Sequence, residues 1–226
     1  MSLGHGASVV RDGLLLHLDA ANVKSYPSSG TVWKDVSGNG NNATLVNGPI
    51  YNTNDSNYFS FDGVNDYGII PHSSSLVFTN QLTVSVWFKR VSGAIQRLVN
   101  KYDSPEDAVF KITVGSGGRI FFEINDGTTR YILGNVFPTF SGDWENFVFV
   151  YDGSNRYIYQ NTNVIASDTF TNSITNNTKP ITIGATVLTD TLYGPLTISS
   201  SMIYNRALST SEVKQNFEAL RGRFGI

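Results

Sequence analysis

Apolar and polar residues alternate along this chain in short runs. The clearest is Leu82–Lys89, with Val84, Val86 and Phe88 on one face and Thr83, Ser85 and Trp87 on the other. A period of two is that of a β-strand. Comparable runs predict strands at Leu14–Leu18, Tyr58–Phe61, Tyr67–Ile70, Arg97–Lys101, Val109–Val114, Arg119–Ile124, Arg130–Leu133, Arg156–Gln160, Val164–Asp168, Ile181–Gly184 and Pro195–Tyr204. Phe147–Tyr151 is apolar on both faces, which predicts a central strand covered on both sides.

Between these runs lie clusters of Asn, Gly, Ser and Thr, at Ser37–Asn42, Asn52–Asn57, Gly115–Gly118, Asn125–Thr129, Asp152–Asn155 and Thr171–Thr178. The chain holds 22 Asn and 21 Gly, residues that tolerate positive φ or bond their own backbone in turns. Asn161–Asn163 predicts a three-residue hairpin between two strands. Short strands broken by such clusters predict an all-β sandwich of two antiparallel sheets. Its core is expected to hold Val84, Val86 or Trp87, Phe149 and Ile183.

One helix is predicted, from Ser209 to Leu220. Ser209 and Glu212 have the spacing of a capping box, in which the hydroxyl accepts from the Glu212 amide and the carboxylate reaches back. Val213, Phe217 and Leu220 then form an apolar stripe, and Gly222 is expected to end the helix. Beyond it, Phe224 and Ile226 either seek a partner or fold back on their own sheet. The weakly apolar, glycine-rich arm over residues 1–10 is expected to order only against a partner, with one domain over residues 11–226.

Composition narrows the function classes. Of 226 residues 40% are hydrophobic and 15% charged, enough for a core and against disorder. A net charge of −2 with scattered Lys and Arg argues against nucleic acid. No run approaches the length of a membrane span, so no membrane insertion is expected. Met1–Val10 lacks the cationic start and apolar run of a signal peptide. There is no cysteine, so neither disulfides nor thiolate metal sites support the fold.

Five phrases occur in a fixed order: Trp33–Asn42, Phe61–Tyr67, Leu82–Phe88, Trp144–Gly153 and Ile203–Ser209. Together they resemble a laminin G-like domain of the concanavalin A-like lectin and glucanase superfamily, over roughly Asp12 to Ala219. The resemblance implies a jelly roll, in which Trp87, Trp144, Phe147 and Phe149 lie where the family buries its core. The opening Asp12–Asn22 with Ser25-Tyr26-Pro27, and the ending Asn216–Ile226, are similar to laminin G-like proteins of tailed phages, notably marine ones. That implies a virion structural protein: a capsid decoration, knob or fibre-associated module. Its partners would be other virion proteins or copies of itself, with host-surface carbohydrate as a further partner. The absence of cysteine is in keeping with a bacterial or viral source. The alternative is a carbohydrate-binding or adhesion module of a bacterial surface protein.

No catalytic residues are assigned. Retaining glucanases of the superfamily place two carboxylates on alternate residues of one strand. Of the five Glu here (Glu106, Glu123, Glu145, Glu212 and Glu218) only Glu123 lies on a well-marked strand, and its neighbours two away are Phe121 and Asn125. Glu123 therefore reads as an isolated surface or cleft residue. His5, His17 and His72 share no metal-ligand spacing, and His17 is expected to face outward, opposite Leu16 and Leu18.

No cofactor is assigned either. Many laminin G-like domains hold calcium, for which Asp62 with Asp66, Asp19, and Asp35 with Asn39 are the candidates. Relatives often carry an acidic residue where Ser199, Ser200 and Ser201 stand, which counts against the ion. The same side chains also suit turns, so no ligand set is drawn.

For sugar, aromatic faces beside polar partners are the signal. Three places offer one: Tyr102 with Asp103, Tyr131 with Arg130, and Tyr157 with Tyr159. The last pair sits at i, i+2 and projects to one side of a sheet.

Overall fold

A computed structural model describes residues 7–78, 80–91, 93–102, 108–186 and 192–226. His5, Asp103 and Glu106 lie outside the described residues, as does the side chain of Arg130. The strands, in chain order, are β1 (Leu14–Asp19), β2 (Val32–Trp33), β3 (Ala43–Val46), β4 (Ile50–Asn52), β5 (Tyr58–Asp62), β6 (Tyr67–Ile70), β7 (Leu82–Lys89), β8 (Gln96–Lys101) and β9 (Phe110–Val114). They continue with β10 (Ile120–Asn125), β11 (Arg130–Val136), β12 (Trp144–Tyr151), β13 (Asn155–Gln160), β14 (Asn163–Thr169), β15 (Ile181–Ile183), β16 (Ala185–Thr186), β17 (Leu192–Tyr193) and β18 (Pro195–Tyr204). One α-helix, α1 (Thr210–Leu220), follows, and then a 3-10 turn over Arg221–Phe224.

Two eight-stranded antiparallel sheets face each other. The first runs β14-β13-β12-β7-β18-β5-β4, with β1 also on β18, and the second runs β11-β10-β9-β8-β15-β6-β3-β2. Strand β18 lies along β7 on one side; on the other, its first half pairs β5 and its second half pairs β1. Between the sheets sits the main core, including Val84, Val86, Phe88, Phe122, Phe147, Phe149 and Ile183. All-β architecture with one C-terminal helix is thus what the alternation predicts, and Val84, Val86, Phe149 and Ile183 are buried as expected.

The register explains why β12 is apolar on both faces. Phe147, Phe149 and Tyr151 point between the sheets, while Val148 and Val150 belong to a second cluster with Met202, Tyr204, Leu208 and Val213. That second cluster lies on the outer face of the first sheet, under α1. Beside it Trp87 and Trp144 form a third cluster with Phe224, against which Phe217 and Leu220 pack. The C-terminal segment therefore roofs the middle of the outer face, and the Trp side chains expected in the core are buried there.

The helix forms as its cap predicts. Glu212 N–H donates to Ser209 Oγ at 3.4 Å and Ser209 N–H donates to the Glu212 carboxylate at 2.8 Å. Gly222 does not take the terminating role expected of it. The backbone passes from α1 directly into the 3-10 turn, and the left-handed residue is Gly225, with φ 73°. The hairpin between β13 and β14 is also tighter than expected, because Asn163 already pairs with Gln160 and Asn161 turns the chain at φ 57°.

The ends of the domain are fastened down. Phe224 is buried on Trp87, so it folds back rather than reaching for a partner, while Ile226 stays 40% exposed. Within the arm, Val10 N–H donates to Asn216 Oδ1 at 2.8 Å and Gln215 Nε2 donates to the Ser8 carbonyl at 2.8 Å. The part of the arm next to the domain therefore packs on its own helix, without any second molecule.

His17 corrects a sequence expectation in an instructive way. A register shift between Leu14 and Leu16 turns Leu15 and Leu16 both toward the core, and His17 does point to the opposite face from Leu16 and Leu18. But that face is roofed by the C-terminal segment, so His17 is 5% exposed rather than solvated.

Candidate functional site

The outer face of the first sheet is only partly roofed, and the site lies where the roof stops. Cross-strand partners Val150 and Tyr157, and Val148 and Tyr159, carry the apolar surface outward from β12 to β13. Tyr159 in turn pairs with Val164 on the edge strand β14. Residues two apart on β13 share a face, so both tyrosines stand on this outer side. Helix α1 covers Val148 and Val150, but its N-terminal end leaves Tyr157 half-buried and Val164 49% exposed.

The step between the helix end and the bare strands is a cleft of about 520 Å³, lined by Val150, Asp152, Tyr157, Tyr159, Val164, the approach to α1 over Ala207, Leu208 and Ser209, and Thr210 and Glu212 in its first turn. The two rings are 6.4 Å apart and inclined at 46°, so they form two walls rather than one flat platform. Tyr159 is almost fully buried, its hydroxyl 3.3 Å from Thr210 Oγ1. Tyr157 offers the accessible ring. Its phenol is pushed above the ordinary value, by burial first and then by the charge of Asp152. Asp152 is itself held by the turn it closes, Oδ1 accepting the Ser154 and Asn155 amides at 2.8 and 2.7 Å.

Glu212 forms the opposite rim. It takes two hydrogen bonds from Arg206, at 2.9 and 2.6 Å, which together with the Ser209 cap hold its carboxyl down at about 2. Asp152, Thr210 and Glu212 were readable in the sequence as a turn residue, a helix residue and a cap. Nothing in the pattern signals that they meet the tyrosines, because that depends on where the roof ends.

The other two aromatic candidates fare differently. Tyr102 is buried, with the Lys111 ammonium 4.6 Å above its ring, so it has no face to offer. Tyr131 lines a second depression of about 500 Å³ with Arg156, Asp168, Phe170 and Asn172. There Arg156 is committed: its Nε donates to Asp168 at 3.0 Å, its Nη1 to the Tyr131 carbonyl at 2.9 Å, and it stacks over Phe170. The Tyr131 hydroxyl accepts from Asn172 Nδ2 at 2.8 Å. This depression is a knot that ties β11 to β13 and β14.

Glu123 is not the isolated surface or cleft residue expected. It is 6% exposed and lies opposite Lys111 across β9 and β10, with the ammonium 3.7 Å away. Its cross-strand neighbour on β9 is a cation.

The calcium candidates are occupied by the chain's own donors. Asp35 accepts the amides of His17, Ser37 and Asn41, and the Ser37 hydroxyl. Asn39 donates to the Leu14 carbonyl, which with Asp35 staples this loop to β1. Asp62 Oδ1 accepts the amides of Val64, Asn65 and Asp66, which lowers its pKa, while burial raises that of Asp66. Asp19 accepts two bonds from Arg223 Nη1, at 2.7 and 2.9 Å. Among the described residues no three His, Cys, Asp or Glu side chains gather as a metal site. Ser199, Ser200 and Ser201 are fully buried, so a carboxylate in that stretch would have to be desolvated.

A family model of the concanavalin A-like lectin/glucanases superfamily, in its laminin G class, matches residues 62–214. The chain belongs to this superfamily. No curated protein sequence matches it. Among solved structures it is similar to the binding domain of Paraclostridial Mosquitocidal Protein 1, at 20% identity and a TM-score of 0.70, covering 92% of this chain and 52% of that one. It is similar also to the receptor binding domain of botulinum neurotoxin C/D mosaic serotype, at 17% identity and a TM-score of 0.72, covering 92% and 52%. A third is the ligand binding domain of botulinum neurotoxin serotype D in complex with N-acetylneuraminic acid, at 15% identity and 0.72, covering 92% and 51%. This chain spans about half the length of each neighbour, and at such identities the likeness is one of fold.

Proposed function

We propose that this domain is a non-enzymatic, lectin-like module that binds saccharide in the Tyr157 cleft. The observation that carries the reading is the cleft itself: an accessible tyrosine ring, a buried second tyrosine and hydroxyl and carboxylate acceptors, at the rim of a helix-roofed sheet. A pyranose presents one apolar face to stack on such a ring and hydroxyls to bond the acceptors beside it. A volume of about 520 Å³ suits one or two sugar residues. The neighbours named as receptor- and ligand-binding domains, one with N-acetylneuraminic acid, support a binding role on this fold. Against hydrolysis stands Glu123, whose carboxylate faces the Lys111 ammonium at 3.7 Å.

An open cleft of this kind gives weak single-site affinity, which repetition on a particle multiplies. The wider setting we propose is therefore display in several copies on a phage virion, as capsid decoration, knob or fibre-associated module, with other virion proteins or copies of itself as partners. The resemblance of Asp12–Asn22 and Asn216–Ile226 to tailed-phage proteins supports it. Attachment through Phe224 is not part of this reading, since that ring is buried on its own sheet. The alternative setting is a bacterial surface adhesin, and recovery of the chain with purified particles distinguishes the two.

The site itself is tested by titrating oligosaccharides against the wild-type chain and Tyr157→Ala, with protein chemical shifts as the readout. Shifts clustered on Val150, Tyr157, Val164 and Thr210 that vanish in the variant are expected. Binding unaffected by Tyr157→Ala, or release of reducing sugar from the panel, overturns the reading.

A further inference from the structure

We infer that the Tyr157 cleft selects neutral saccharides and turns away acidic ones. This rests on the saccharide reading above and narrows it to a ligand class, one that the sialic acid in the neurotoxin D complex would not suggest. The charge of the lining sets this preference. Ten residues line the cleft; the two that carry charge, Asp152 and Glu212, are both acidic, and no Lys, Arg or His is among them.

The nearest guanidinium does not repair this. Arg206 is spent on the Glu212 carboxylate at 2.6 and 2.9 Å, on Asp12 Oδ2 at 2.9 Å, and on the backbone carbonyls of Asp12 and Ala207. It neutralises Glu212 but has no fork left for a sugar carboxylate, the usual partner of which is a bidentate Arg. Asp152 makes no ion pair among the described residues; its Oδ1 accepts the Ser154 and Asn155 amides, and its charge raises the phenol of Tyr157 beside it.

The charged side chains around the accessible ring are thus acceptors only. A neutral pyranose answers them with hydroxyl donors, and a hydroxyl donated to a carboxylate is among the stronger hydrogen bonds. A uronic or sialic acid brings a further acceptor with a full negative charge into a partly desolvated pocket, close to an unmatched one of the same sign. Two like charges a few ångströms apart at a protein surface cost about a factor of ten in affinity. Salt screens that repulsion.

The test uses matched pairs that differ by the carboxylate: glucose and glucuronate, galactose and galacturonate, and N-acetyllactosamine with and without terminal sialic acid. Each is titrated onto the full chain by NMR at low and high salt, and onto Tyr157→Ala and Asp152→Asn. The asparagine keeps an oxygen for the Ser154 and Asn155 amides, so the turn survives. The neutral member of at least one pair is expected to bind about tenfold tighter, with the gap narrowing in high salt and in Asp152→Asn. Acidic members binding as tightly as neutral ones, with both lost in Tyr157→Ala, overturn the selectivity and leave the saccharide site standing. A gap that survives salt and Asp152→Asn unchanged overturns the electrostatic cause. If no sugar of either kind binds, or Tyr157→Ala changes nothing, the site reading falls and this inference with it.

Discussion

Phe224 lies flat on Trp87, the two rings 4.1 Å apart and 11° from parallel. Trp87 stacks Phe217 as well, at 5.4 Å, and Trp144 meets Phe224 at 5.3 Å. The contact fastens the 3-10 turn to the outer face of the sheet, and Arg223 adds its bonds to Asp19 next to it. Truncating a buried aromatic of this kind costs about 3 kcal/mol. Phe224→Ala is therefore expected to lower stability by about that much in urea melts, whereas Ile226→Ala, at the exposed end, changes it little.

Acid weakens the same roof through His17. Its pKa is lowered, chiefly by burial, with Arg223 and Arg11 adding to the effect and Asp19 and Asp35 opposing it. The unfolded chain thus takes up this proton first, near the ordinary value of 6.5. Stability is full above that pH and declines as pH falls below it, with a slope of at most about 1.4 kcal/mol per pH unit for one proton. His72 is lowered too and acts with the same sign. The check is urea unfolding between pH 8 and 5: His17→Gln is expected to flatten the decline relative to the wild type.

The cap of α1 carries its own pH signature. Removing the hydroxyl in Ser209→Ala is expected to cost about 1 kcal/mol, seen as a lower midpoint with an unchanged denaturant slope. Glu212 is held down to about 2, first by Arg206. Its contribution is present above the ordinary carboxyl value of 4.5 and fades as pH falls from there toward about 2. In Arg206→Gln this acid-dependent part is expected to shrink.

Arg156 is 3% exposed and shares its guanidinium among β11, β14 and the Phe170 ring. Asp168→Ala leaves that cation without its counter-ion. Because Asp168 is itself about one-third exposed, the loss is expected near the lower end for a buried pair, about 2 to 3 kcal/mol. Thermal melting of the variant, together with Arg156→Met, measures it: the methionine removes charge and demand together and is expected to be the milder change.

Chelation should leave the fold untouched. Asp35 and Asp62 already accept amide donors from their own loops, and Asp35 the Ser37 hydroxyl as well, so their turns are expected to hold without a cation. Melting temperature is expected to be the same with EDTA and with millimolar calcium. A rise on adding calcium would show that these loops reorganise around an ion.

The longer strands were legible from alternation, and so was the four-residue β6, which the Asp62-Gly63 turn sets off from β5. Tyr67–Ile70, Leu82–Lys89 and Pro195–Tyr204 coincide with β6, β7 and β18 residue for residue. Strands β2, β3 and β4 were not, because two to four residues carry too little period and Ile50 is 65% exposed on an edge. For His17, alternation gives the side chain's face, but Arg223, which stands near it on that face, comes from the other end of the sequence. The site divides in the same way. Tyr157 and Tyr159 were legible as a pair, since they lie on one strand, while Asp152 and Thr210 join them only through packing.

Strand β18 sets the tempo at which this domain can form. It fills the slot between β7 and the pair β5 and β1, and through it Leu14 at one end meets Tyr204 at the other. Until β18 arrives, β1 and β5 have no neighbour toward the centre of their sheet, and the long loops they close must be gathered against chain entropy. On a ribosome that means almost the whole domain emerges with exposed strand edges before it can lock. Refolding from urea should therefore run in milliseconds to seconds instead of microseconds. The last strand to be made is the one that turns a collection of hairpins into a single cooperative body.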